Sequence, residues 1–183
     1  MSTRQRLIVT SGLPGSGKST IAEGLAKALP AAILSVDPIE AAMWRSGLDP
    51  AKTGIAAYRV AETLARENLA QGLSVIVDAV NPVDEARAMW RDLSQQHAVC
   101  LKVVEVICSD EAIHKQRIEA RVRNIEGMPE ISWERVIQRK AEFTPWAEDR
   151  LVLDSATKPA DALIETAAQY CLAPPGQTAT GTR

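Results

Sequence analysis

The chain has 183 residues, 46% of them apolar and 24% charged, which are ordinary proportions for one globular domain. A net charge of −2 gives no global basic signature for nucleic acid, and the apolar run after Arg6 is too short for a signal sequence or a membrane span. Three widely spaced cysteines (Cys100, Cys108, Cys171) form no metal or redox pattern, so a reduced, cytoplasmic compartment is expected.

Residues 7–10 read as a short buried strand ended by Ser11-Gly12. Residues 17–29 read as a helix, with Ile21, Leu25 and Leu29 on one face and Pro30 as its stop. A second strand at 33–36 ends in Asp37. Asp37-Pro38 has the form of an N-cap followed by proline at the first helical position, with Glu40 three residues past the cap. That helix runs to about Trp44, and a longer one spans 54–71. Residues 74–77 form a third strand closing on Asp78. Asn81-Pro82 opens a helix with Met89, Trp90 and Leu93 at helical spacing, and 99–108 is the fourth strand. Ser109 caps a helix carrying Lys115, Arg117, Arg121 and Arg123. Residues 124–131, with Gly127 and Pro129, read as a loop, and Ser132 caps a helix to about 143. A fifth strand at 151–153 and a helix at 160–172 complete a single domain, and 173–183 has the composition of a disordered tail.

Short apolar strands alternating with helices imply βαβ units: an α/β fold with a parallel five-stranded sheet covered on both faces. Ligands in such sheets sit at the carboxyl ends of the strands. That rim gathers residues 12–19, Asp37, Asp78 and the segment after Cys108.

Residues 12–20 (Gly-Leu-Pro-Gly-Ser-Gly-Lys-Ser-Thr) match the phosphate-loop pattern G-x-x-x-x-G-K-[ST] in full, between a strand and a helix as that pattern requires. Gly12, Gly15 and Gly17 let backbone N–H groups turn inward around phosphates, and the helix start adds its positive dipole end. Pro14, Ser16 and Thr20 complete the cradle. Lys18 supplies a charge to the β/γ-phosphates, and the Ser19 hydroxyl suits Mg2+. The implied ligand is ATP or GTP with Mg2+. Asp37 reads either as a helix cap or as a general base for an acceptor hydroxyl. Asp78 reads as a carboxylate of the Mg2+ shell, as a group facing the acceptor beside Asn81, or as a turn residue.

The phosphate loop, then Ser35-Val36-Asp37, then 75–81 (Val-Ile-Val-Asp-Ala-Val-Asn), then an arginine-rich helix, together resemble the P-loop kinase-like family. That family includes the polynucleotide 5′-kinase domain and chloramphenicol phosphotransferase. The resemblance covers roughly residues 6–172 and implies a P-loop NTPase fold with a small helical lid at about 115–131. It also implies Asp37 as the acceptor base. Polynucleotide kinases carry an arginine shortly after that aspartate; Glu40 stands here instead.

Arg117 and Arg121, four apart, share a helical face. They read either as a solvated surface with Glu119 or as lid arginines that balance charge over the triphosphate, Arg121 first. Arg123 is assigned to the adenine side. Trp44 reads as a wall of an acceptor pocket or as packing, Trp90 as core, and His97 and His114 receive no role. The expected activity is ATP-dependent transfer of the γ-phosphate to a hydroxyl of a small molecule, Lys18, Asp37, Arg121 and Arg117 carrying the chemistry. The alternatives are a polynucleotide 5′-hydroxyl kinase and a non-kinase ATPase or nucleotide switch. The expected partners are a nucleotide and a small acceptor, with nucleic acid disfavoured, no membrane, and a monomer or homodimer.

Overall fold

The computed structural model describes residues 5–122 and 124–174. Five parallel strands lie in the order β2-β3-β1-β4-β5: β1 Arg6–Ser11, β2 Ala31–Ser35, β3 Ser74–Asp78, β4 Cys100–Ile107 and β5 Arg150–Asp154. The helices are α1 Lys18–Ala28, α2 Val36–Arg45, α3 Gly54–Ala70, α4 Asp84–Gln96, α5 Glu111–Ala120, α6 Trp133–Glu142 and α7 Ala160–Leu172.

Alternation along the strands sorts two cores. Leu7, Val9, Val75 and Val77 face one way and pack with α3 (Ala57, Ala61, Ala65, Leu69) and α4 (Met89, Trp90, Leu93). Ile8, Ile76, Val104 and Val106 face the other way, onto α1 (Ile21, Leu25) and α7 (Leu163, Ala167). The two faces follow from crossover handedness. The α1 connection leads from β1 outward to β2, and the α4 connection leads from β3 past β1 to β4. Right-handed crossovers running in opposite directions must cover opposite faces. The chain therefore reverses direction around β1, and the rim beside its carboxyl end is the crevice where such sheets bind ligands. Register brings Thr10, Asp78 and Ser35 level across that rim.

Several element ends differ from expectation. Val36 already begins α2, with Ser35 at the cap position, so Asp37 sits inside the first turn rather than at the cap. An acidic residue there still favours the positive helix end. Asp110, not Ser109, caps α5 by accepting from the Ile113 N–H, because Ser109 is held by Asp154. The helix expected to open at Asn81-Pro82 begins at Asp84. Asn81 adopts a left-handed φ of 51° and is wholly buried, its amide bonded to the Thr10 carbonyl and the Trp90 Nε1–H. It is structural and does not stand beside Asp78 toward an acceptor. Helix α5 ends at Ala120, so Arg121, extended at its C-cap, shares no helical face with Arg117. Ser132 caps α6 as expected.

Candidate functional site

The phosphate loop joins β1 to α1. Gly17 caps α1 with φ 96° and Gly15 has φ 81°, conformations that side chains resist. A Cβ on Gly12 would stand 2.2 Å from the Val106 carbonyl oxygen, so glycine is also required there for space. Lys18 is only 4% exposed, and no described carboxylate pairs with it. Buried charges are normally paired, so this lysine suits an incoming anion.

A cleft of about 550 Å3 opens beside the loop, lined by Lys18, Ser19, Thr20, Arg117, Arg121 and Lys158 among others, and by no acidic side chain. Within its walls Arg121 has a buried, unpartnered Nη1, and in the loop the Ser16 Oγ is likewise buried and unpartnered. The two arginines differ. Arg117 is tied to Ser155 through its Oγ (2.7 Å) and carbonyl (2.9 Å). Asp154 fixes that turn: burial alone would raise its pKa, but Ser109, the Ala156 N–H and Arg117 hold it below the usual carboxylate range. Arg123 lies outside the described residues. The anion-ready donors, left-handed loop and absence of carboxylates fit a nucleotide triphosphate. Ser155 and Lys158 were missed in the sequence, although they follow the fifth strand on the same rim.

Asp78, 8% exposed, ends β3 between the Thr10 and Ser35 hydroxyls, each 3.4 Å away. Among the described residues no cluster of three or more potential metal ligands occurs.

A second groove, about 680 Å3, is lined by Asp37, Glu40, Trp44 and Tyr58 on one side and Met128, Glu130, Arg135 and Arg139 on the other. Trp44 lines this groove while its Nε1–H donates to Thr53 Oγ1 (2.6 Å), and Thr53 in turn donates to Glu40 (3.1 Å). The Tyr58 hydroxyl accepts the Asn81 N–H (3.0 Å), leaving its own hydrogen to donate. Burial pushes the Tyr58 phenol up to about 12. Residues 124–131 do not hang free. Arg45 donates to the Glu126 carbonyl, and Gly127, with φ 83°, packs against the Arg45 side chain. This segment thus roofs the second groove rather than the first. The groove's α6 arginines were not expected from the sequence, though Arg135 and Arg139 stand at i, i+4.

Two buried cations hold the scaffold. Arg87, 1% exposed, donates to the carbonyls of Asn81, Pro82, Thr144 and Pro145, its guanidinium lying 5.0 Å from the Phe143 ring centroid and 4.5 Å from that of Trp146. Lys102 lies over the Tyr170 ring at 4.6 Å.

A family model described as an AAA domain matches residues 7–145. The chain belongs to this P-loop kinase-like family. The Schizosaccharomyces pombe bifunctional polynucleotide phosphatase/kinase is 29% identical over 134 residues, covering 72% of this chain and 29% of that protein. The chain thus spans under a third of the length of the curated relatives it matches. A Janibacter sugar kinase shares the fold with TM-score 0.67 at 21% identity, covering 91% of this chain and 94% of that one. The Mycobacterium tuberculosis APS kinase, solved with AMPPNP and APS, does so with TM-score 0.65 at 18% identity, covering 91% and 97%. The P-loop kinase-like fold is therefore shared along nearly the whole chain. No helix among its described residues is long and apolar enough to cross a membrane.

Proposed function

We propose that the chain is a P-loop kinase that transfers the γ-phosphate of ATP to a hydroxyl of a small molecule. The observation that carries this reading is a pair of grooves with different linings, the second reaching the phosphate loop at Val80, whose carbonyl accepts the Gly12 N–H. One is free of carboxylates and holds the buried Lys18 and the unpartnered Arg121 nitrogen; the other presents Asp37. In this reading Lys18 and the loop N–H groups bind the β/γ-phosphates, and Arg121, with Arg117 beside it, offsets the charge that spreads over the transferred group. Asp37 accepts the proton of the attacking hydroxyl. Ser19 and Asp78 would hold Mg2+, which when bound neutralises phosphate charge. Trp44 and Tyr58 orient the acceptor.

The polynucleotide 5′-hydroxyl kinase reading draws support from the S. pombe relative. Against it, Asp37, Glu40, Glu130 and Glu142 outnumber Arg135 and Arg139 along the second groove, and the balance of charge opposes a phosphate-bearing strand. A nucleotide switch would leave that groove without a role.

The test is an ATP-consumption screen over hydroxyl-bearing metabolites, antibiotics, nucleosides and 5′-hydroxyl oligonucleotides, with Lys18→Ala as the control. The expected outcome is acceptor-dependent turnover with a small molecule, abolished in a folded Lys18→Ala. Turnover only with oligonucleotides would favour the second reading, and turnover independent of every acceptor would favour the switch.

A further inference from the structure

The phosphate loop is gripped from outside by α5. Pro14, at its apex, has no N–H, so its carbonyl is the only backbone group it can use. That carbonyl lies 2.8 Å from His114 Nε2, in a contact buried from solvent, His114 being 6% exposed. A carbonyl only accepts, so Nε2 carries the hydrogen. Trp133, the first residue of α6, meets the imidazole edge to face at 5.2 Å and 79°. Ile118, one turn along α5, closes on the loop so tightly that a Cβ on Gly15 would stand 2.7 Å from its Cδ1 and 3.3 Å from His114 Cδ2. The two buried residues of α5 are these two.

We infer that His114 is a positioning residue for the nucleotide site: its Nε2–H sets the apex of the phosphate loop, and Trp133 sets the orientation of the ring. The loop works only if its N–H groups converge on one point, and its glycines leave it with backbone freedom that must be removed. A single donor at the apex, on a buried ring packed against Trp133, removes it before the ligand arrives. The cost of ordering is then met in folding rather than in binding.

This inference rests on the nucleotide reading above, and the test separates the two. Affinity for Mg2+ with a non-hydrolysable ATP analogue is measured by calorimetry for the wild type, His114→Phe and His114→Gln, with melting temperature alongside. Phe keeps the ring and its Trp133 contact but loses the donor; Gln restores an N–H near the Nε2 position. A folded His114→Phe should bind about tenfold more weakly, the scale of a buried carbonyl left unsatisfied, and His114→Gln should recover most of that. A merely structural role would lower melting in both variants without this recovery of affinity. If the wild type binds and His114→Phe binds equally well, the inference is overturned while the nucleotide reading stands. If the wild type does not bind, the nucleotide reading itself fails. Should His114→Phe not fold, His114→Asn, whose amide is too short to reach the carbonyl, is compared with His114→Gln; equal affinity of those two overturns the inference.

Discussion

At the residue scale, the phosphate loop was legible because its chemistry is local. Nine consecutive residues carry the turn, the charge and the helix start, and the structure keeps all three together. Asp37 was legible as a candidate, but the cap position falls on Ser35, because Pro38 fits the third helical position as well as the first. Arg87 and His114 were not legible, since they have partners as far as 58 and 100 residues away in sequence. Arg87 shows what such a residue is worth. Its planar fork meets four carbonyls while two aromatic rings flank it, an arrangement that a lysine ammonium cannot reproduce. Arg87→Lys should lower unfolding free energy by about 2 kcal/mol or more, the scale of charged hydrogen bonds lost in the interior. Urea denaturation checks this, and a loss below about 0.5 kcal/mol, as at an ordinary surface site, would contradict it.

At the element scale, the strand and helix order followed from alternation and spacing, and the errors lie at element ends, as where β2 runs Ala31–Ser35 rather than 33–36. Those ends depend on which side chain reaches which N–H, a tertiary matter. Ser109, for instance, loses the cap position to Asp110 because Asp154 on a distant strand claims it. The expected lid divides in the same way. Residues 115–120 belong to a helix anchored on the phosphate loop, while 124–131 form a separate roof fastened to α2 by Arg45. If this roof closes over a loaded site, amide exchange at 124–131 should slow when Mg2+ and a non-hydrolysable ATP analogue are added, whereas α1 and α7 should change little. Exchange mass spectrometry reads this directly. Equal protection with and without the analogue would remove gating from the account.

At the scale of the whole molecule, two cores back one sheet, Tyr170 within one and Tyr58 packed against the other, and each phenol is pushed up to about 12, chiefly by desolvation. The folded value exceeds the ordinary 10.0, so each phenol contributes stability that is complete below pH 10 and fades as pH rises toward 12. Tyrosinate absorbance should therefore appear together with loss of structure; a midpoint near 10 with the fold intact would contradict the burial. The second groove meets the phosphate loop at Val80, whose carbonyl accepts the Gly12 N–H, and the central claim is that phosphate passes from one groove to the other with Asp37 as base. The most direct measurement is the transfer rate of Asp37→Asn, taken with its Mg·ATP affinity, using the acceptor that the screen identifies. Asparagine keeps the size and cannot take a proton. The expected result is wild-type nucleotide affinity with transfer slowed by about 10²–10⁴-fold, the usual worth of a positioned base. Transfer at the wild-type rate would contradict the account.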